Sequence, residues 1–569
     1  MRGLETTTIT PPEERIALLE GALAKVTAER DRFRASYEQL RLELELLRRR
    51  LFVAKAERVN TAQLELEFAA KLAELDRLSG LSDPAAGGEA NDGKGHDNKP
   101  PPKGAKKKPT GRRDLRKAPL EEVRVEIPDP LFEQLVAEGK AERIGHEESC
   151  KLAWQRGGLR RLVVARVKYR AVDAQGEATI ETTPMPPESF ARSMAAPSLL
   201  AHILVEKHCD GLPLNRIEDR FERDGVTVDR GTMCRWVEDA GATAGATVIA
   251  AAREEAMATA FCFATDATGV SVQPIPSQDK GRQACRRGHY FVLIADKDHV
   301  FFEYTAKETS PVVSEMFRGF SGYIQADAKS VYDVLFRAPE QKPSGEDEGD
   351  AVRHEVACWA HARRKFWEAT VAKSVVAREG LARIGRIFST DAGFQGKPPS
   401  EIARLRNAHL RPYLETFVAW AEQQYEVVRH QRGLLRSALG YVVRQKEALL
   451  RVLEDGRLIL DNNRSERELR RIAVGRKAWM FVGSDDHATA AGHIFSLIAS
   501  ARLHGLDPEA YLRDLFRVLA HWPKGRYLEL APKYWAATRA RLVPKQLDAE
   551  IGDLTVPPPL PTEEQPASS

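Results

Sequence analysis

The sequence predicts a multidomain protein, α/β plus α: an α/β core interrupted by a helical insertion and preceded by an N-terminal coiled coil. Three observations carry this reading. Two strand-like runs end in an aspartate: AFCFATD at Asp266 and SGYIQAD at Asp327. A long stretch with strong helical periodicity then separates them from a basic helix carrying Glu466. Near the N-terminus, apolar residues recur at alternating three- and four-residue intervals over many heptads. At 569 residues the chain is long enough for several domains, since single cores stop growing near ~250 to 300 residues.

Composition narrows the function classes. Hydrophobic content of 43% and charged content of 30% are those of a globular protein with polar appendages. No apolar run approaches the ~20 residues of a membrane span, and MRGLETTTIT lacks a secretory apolar region, so a cytoplasmic protein without a membrane partner is expected. The net charge of +4 is small, but the cations are clustered, as expected where a polyanion is held. Six cysteines stand singly with no CxxC pair, which fits reduced thiols packed as small hydrophobes.

In chain order, residues 1–78 are expected to form the coiled coil, with Ile16, Leu19, Leu23, Val26, Phe33, Tyr37, Leu40, Leu44, Leu47 and Leu51 on the seam and Arg30 interrupting it. Such a seam is expected to pair copies into a homo-oligomer; a helix folded back on its own protein would show the same pattern. Residues 79–119 lose periodicity and end in KPPPKGAKKKPTGRRDLRKAP, a basic linker too poor in apolar groups to offset its ordering entropy. Residues 120–190 alternate in places, as in RLVVARVKYRAV, and predict a small strand-rich module. Residues 191–255 contain a helix, a turn at Asp224-Gly225 and a second helix opening near Asp229. This pattern resembles a helix-turn-helix, in which Arg230, Thr232 and Arg235 would face a DNA groove; helical hairpins are also common scaffolding.

The core is expected over 256–370 and 456–545, with the helical insertion at 371–455 and a disordered tail at 546–569. After Asp327, HEVACWAHARRKFWEA turns from a strand into a basic helix. Its Cys358 and His361 have a CxxH spacing with no second pair of ligands, so they read as packing and helix-start residues. His361, Arg363, Arg364 and Lys365 are candidate DNA contacts. In LILDNNRSERELRRIAVGRK, Asp461, Asn462 and Asn463 form a natural helix start. Glu466, Leu469, Ile472 and Ala473 then share one helical stripe, which predicts an inward carboxylate beside an outward field from Arg464, Arg467, Arg470, Arg471, Arg476 and Lys477.

Phosphodiester cleavage and rejoining need an activated hydroxyl on one side of phosphorus and a stabilised leaving oxygen on the other, which two divalent ions about 4 Å apart supply. Hard cations take carboxylate oxygens, so Asp266 as bridging ligand, Asp327 on one ion and Glu466 on the other compose such a site. Asn462 and Asn463 would orient a water or the DNA, while Arg467, Arg470, Arg476 and Lys477 neutralise phosphates.

Taken together, LFVAKAERVNTAQLELEF, KHCDGLPLNRIEDRF, GYIQAD, CWAHARRKF, LDNNRSERELRRIAVGRKAWMFVGSD and LHGLDPEAYLRDL resemble the transposases of the insertion sequence 66 family. The resemblance implies an RNase H-like catalytic core with a DDE triad at Asp266, Asp327 and Glu466. It also implies Mg2+ (or Mn2+) as cofactor, double-stranded element-end and target DNA as partners, and helper proteins of the same element. Members of that family usually carry a cysteine-rich zinc module after the basic linker. Here EIPDPLFEQLVAEGKAERIGHEE has no cysteine, which speaks against a structural zinc. The first acid is followed by Ala267 where the family commonly has Glu, and Asp327 by Ala328-Lys329 in place of Gly and an aromatic. Two other readings share these residues: a catalytically inert DNA-bridging relative, and an RNase H-like nuclease without strand transfer.

Overall fold

The computed structural model describes residues 120–561 except 156–157, 173–177, 192, 275–283, 338–351 and 372–373, together with the helical residues Val26, Thr27 and Arg30. The chain divides into two compact units, residues 1–108 and 109–569. The coiled coil expected over 1–78 lies outside the described residues apart from those three, and the linker expected over 79–119 lies wholly outside them. Among the described residues no helix is long and apolar enough to cross a membrane.

The second unit opens with a sheet of β1 (Glu121–Ile127), β2 (Ala141–Gln155), β3 (Gly158–Val172) and β4 (Ala178–Thr182), with α1 (Pro130–Ala137) between the first two strands. β3 is central, parallel to β1 and antiparallel to β2 and β4. β3 is buried on both faces from Leu162 to Ala165: Leu162 and Val164 pack with Ile127 and Ala153, while Arg161 and Arg166, flanking that run, pair with Glu122 and Glu147. Four helices follow. They are α2 (Pro197–His208), α3 (Leu214–Arg223), α4 (Arg230–Ala240) and, after a π-helical turn at Gly241–Gly245, α5 (Ala246–Thr259). The α3–α4 connection turns at Gly225, whose φ of +77° suits glycine. α4 opens on Asp229, whose carboxylate accepts from Gly231 N at 2.8 Å.

The second sheet holds β5 (Cys262–Val272), β6 (Arg286–Ala295), β7 (His299–Thr305), β8 (Gly322–Ala326) and β9 (Arg353–Ala357), in the order β7-β6-β5-β8-β9. β5, β6 and β7 are antiparallel neighbours, whereas β8 and β9 run parallel to β5; α6 (Ser310–Met316) lies in the crossover to β8. Both faces are buried, so the strands read as near-continuous apolar runs. Phe263, Phe291 and Leu293 face one core, and Ala264, Val292 and Ile294 the other. The β6–β7 turn places Asp296 so that its carboxylate accepts from Phe261 N at 2.8 Å and Cys262 N at 3.0 Å, tying the hairpin to the start of β5.

α7 (Trp359–Val371) leads into the helical insertion of α8 (Val375–Ala392), α9 (Pro399–Leu405), α10 (Arg411–Val428), α11 (Leu434–Arg444) and α12 (Lys446–Leu450), which builds its own core around Trp359, Phe366, Phe417 and Trp420. The chain returns through α13 (Asn463–Trp479), α14 (Asp485–Leu503), α15 (Pro508–Val518), α16 (Pro532–Arg539) and α17 (Pro544–Asp548). α14 covers the edge strand β7. Ser500 Oγ and Ser496 Oγ accept from Val300 N (2.9 Å) and Phe302 N (2.7 Å), and Gly492 lets the helix backbone approach Phe302. The segment expected as a disordered tail is a correction as far as Pro561. Ile551 and Leu554 are buried, Arg517 donates to the carbonyls of Ala549 and Gly552, and Leu560 N donates to Glu529.

Candidate active site

Strand register brings the first two acids together. β5 pairs in parallel with β8 at Ala264↔Gln325, so two residues further on Asp266 stands beside Asp327, on strands ~4.8 Å apart. Both side chains are mostly buried, at 16% and 14% exposure, and Asp327 Oδ1 has no hydrogen-bond partner. Burial pushes the Asp266 carboxyl above its ordinary value; the Ala267 N–H at 2.7 Å opposes that push and the charge of Asp327 adds to it.

α13 packs on the Ala264 face of β5 through Leu469 and Ile472. Its start is fixed by Asn462, whose Nδ2 donates to Thr265 O at 2.7 Å and whose Oδ1 accepts from Ser465 Oγ at 2.7 Å. This corrects two expectations. Asn462 is 1% exposed and spends its amide inside the protein, not on water or DNA; Asn463 is the exposed neighbour. The inward stripe runs Ser465, Leu469, Ile472 and Gly475, and Glu466 faces outward with 46% of its side chain exposed. It stays at the rim of the cleft, with Oε1 3.8 Å from His361 Nε2. His361 in turn lines a cavity of about 380 Å³ with Asp327, Lys329, Lys365, Tyr441 and Arg444, so helix α11 of the insertion walls the same cleft.

The remaining predicted residues separate into two groups. Arg467, Arg470 and Lys477 are exposed on α13, without an ion-pair partner among the described residues. Arg235 and Arg364 are exposed as well, with Thr232 and Glu368 as their respective contacts, and Arg230 opens α4 facing solvent. Arg476 is the correction: its guanidinium donates to Gly269 O and to Thr268 Oγ1 (3.2 Å), stapling α13 to β5, so it is not free for phosphate. Lys365 lies over the Tyr441 ring at 5.6 Å.

Sequence reasoning gave no role to Lys329 and missed Glu308. Lys329 Nζ sits 3.3 Å from Asp327 Oδ2, 3.9 Å from Asp266 Oδ1 and 3.5 Å from Glu308 Oε1. The signal for Lys329 was a lysine two residues beyond an acid; Glu308 arrives from the loop before α6 and left none. Among the described residues no group of three or more His, Cys, Asp or Glu is drawn together closely enough to hold a metal ion. The donor set still suits one: two oxygen donors on adjacent strand ends, one unpartnered, with an ammonium drawn between them.

An acid-rimmed α/β sheet crossed by a basic helix is the setting of a nucleic-acid-processing enzyme, and the comparisons with known proteins agree. A family model described as "Transposase IS66 family" matches residues 192–490, and one described as "IS66 C-terminal element" matches residues 496–532. The chain belongs to the IS66 transposase family. It is similar to the uncharacterized protein y4hP of Sinorhizobium fredii, 26% identical over 447 residues that cover 74% of this chain and 77% of that one. The uncharacterized protein y4qI of the same organism is also 26% identical, over 403 residues covering 68% and 71%.

Proposed function

We propose that this protein is a DDE transposase, cleaving the ends of its insertion sequence and joining them to target DNA, with Asp266, Asp327 and Glu466 as its metal-holding acids. The observation that carries this is the register of β5 and β8, which sets Asp266 beside Asp327, while Asp327 and His361 line one cavity and Glu466 of α13 meets His361. The sheet order, three antiparallel strands followed by two parallel to the first, supports an RNase H-like core. When bound, Mg2+ or Mn2+ would activate the attacking oxygen and stabilise the leaving one.

The chain's own residues do the rest. Asp266 and Asp327 offer carboxylate oxygens from a rigid sheet, and Glu466 stands next to His361, which lines the same cavity as Asp327. Arg467, Arg470 and Lys477 take phosphates along α13, and Arg230 and Arg235 of the α3–α4 pair extend that contact. In this reading residues 191–255 hold DNA, 256–370 and 456–545 form the catalytic core, 371–455 wall the cleft and 1–78 pair two copies. The protein works in the cytoplasm on the nucleoid, with helper proteins of its element.

The test is a Mg2+-dependent cleavage and strand-transfer assay on element-end DNA. Asp266→Asn, Asp327→Asn and Glu466→Gln each lose both products by more than about 100-fold while DNA binding stays within a few-fold; full cutting by any of the three sinks the assignment. The outward Glu466 and the lysine in the cleft favour a second reading, an inert DNA-bridging relative, for which the unmodified protein binds DNA and cuts nothing.

A further inference from the structure

Lys329 is placed where a cation is wanted. Its ammonium touches acids from three elements: Asp266 on β5, Asp327 at the end of β8 and Glu308 before α6. It is the only cation within ion-pair distance of either strand acid among the described residues. A divalent ion held by the same two carboxylates takes oxygens at ~2.0 to 2.6 Å and so occupies the space between them. The ammonium, 3.3 Å from one and 3.9 Å from the other, lies against that space. Two positive charges there repel at short range in a half-buried setting.

We propose that Lys329 is a tethered counter-ion which fills the acidic cleft of the free protein, so that a divalent metal enters only as the lysine swings out. The stem allows the movement: the side chain is 42% exposed and sits on the short connection between β8 and the 3-10 turn Ser330–Phe336. A DNA phosphate entering the cleft offers the departing ammonium a new partner, which makes metal loading follow DNA binding. In the absence of metal the same lysine keeps Asp266 and Asp327 together without leaving two buried carboxylates opposed. Lys329 is thus a positioning residue, and this role rests on the reading of Asp266 and Asp327 as metal ligands.

The experiment is Mn2+ binding to the full-length protein without DNA, by calorimetry and by the electron paramagnetic resonance signal of free Mn2+. Lys329→Met binds Mn2+ at least about tenfold more tightly than the unaltered protein, and Lys329→Arg returns the affinity to the unaltered level. Adding Asp327→Asn to Lys329→Met abolishes the tight site, and thermal melting of each variant reports its folding. If both the unaltered protein and Lys329→Met bind at one site, sensitive to Asp327→Asn, with equal affinity, the counter-ion role is wrong and the metal site stands. If neither shows a site that Asp327→Asn removes, the metal reading fails and takes the inference with it.

Discussion

Asn462 shows how much a single buried amide organises. Its donor holds the carbonyl one residue before Asp266, its acceptor holds Ser465, and its own backbone N–H meets Cys358 Sγ at 3.1 Å. Replacing it with alanine leaves the Thr265 carbonyl and the Ser465 hydroxyl without partners in a closed space, at a cost of about 1 to 3 kcal/mol. Asn462→Ala therefore lowers the thermal midpoint of the core and, if the proposed function holds, reduces cleavage by shifting the start of α13; a midpoint and activity both equal to the unaltered protein would contradict this. The sequence pointed to Asn462 as a helix start but not to its inward turn, and it placed Glu466 on the buried stripe. The two stripes differ by one residue, about 100° of helix rotation. Burial of an ionised carboxylate costs far more than burial of a serine that can donate to Asn462, so the helix settles with Ser465 inward.

Between elements, the decisive contacts are polar groups that periodicity does not reveal. Glu255 on α5 accepts from His299 Nε2 on β7 at 2.7 Å, from Lys533 Nζ on α16 at 2.7 Å and from the Tyr534 hydroxyl, so one carboxylate joins three elements. Burial alone would raise its carboxyl, but the bonds from His299, Lys533 and Tyr534 outweigh burial and bring it down to about 2. A depressed carboxyl contributes stability that is complete above its unfolded value near 4.5 and is lost as pH falls toward about 2. Glu255→Gln should therefore melt below the unaltered protein at pH 7, by on the order of 2 kcal/mol, with the gap constant down to about pH 5 and closing below it. A gap independent of pH down to 3 would show that the charge plays no part. The strands were legible because alternation and apolar runs are written in the sequence. The Gly492, Ser496 and Ser500 edge of α14 was not, since AAGHIFSLIAS reads simply as a buried helix. Only the unpaired N–H groups of β7 explain why hydroxyls stand there.

At the scale of the molecule, the helical insertion must return the chain to the sheet so that α13 packs on β5. The sequence showed the insertion and the separation of the acids, but not the lock that closes it. That lock is Arg406, 1% exposed at the turn between α9 and α10. It meets Asp391 of α8 through two bonds of 2.7 and 3.3 Å, and donates to Leu458 O at 2.7 Å and Val452 O at 3.2 Å, just before α13. Gln325 of β8 donates to Ile459 O at 2.8 Å and Trp359 N to Leu460 O at 2.9 Å, so this segment is held by the insertion on one side and the sheet on the other. Arg406→Ala would leave the Asp391 carboxylate buried and unpaired, a loss of ~3 to 5 kcal/mol, whereas Arg406→Met with Asp391→Leu removes both charges and recovers much of it. Limited proteolysis separates the effects. Arg406→Ala opens new cleavage between Val452 and Leu460 and, under the proposed function, lowers strand transfer, while the double variant resists the protease but stays below normal on that readout, because the carbonyls of Val452 and Leu458 remain without their donor. Equal protection of all three proteins would mean that the return segment is held by the sheet contacts alone.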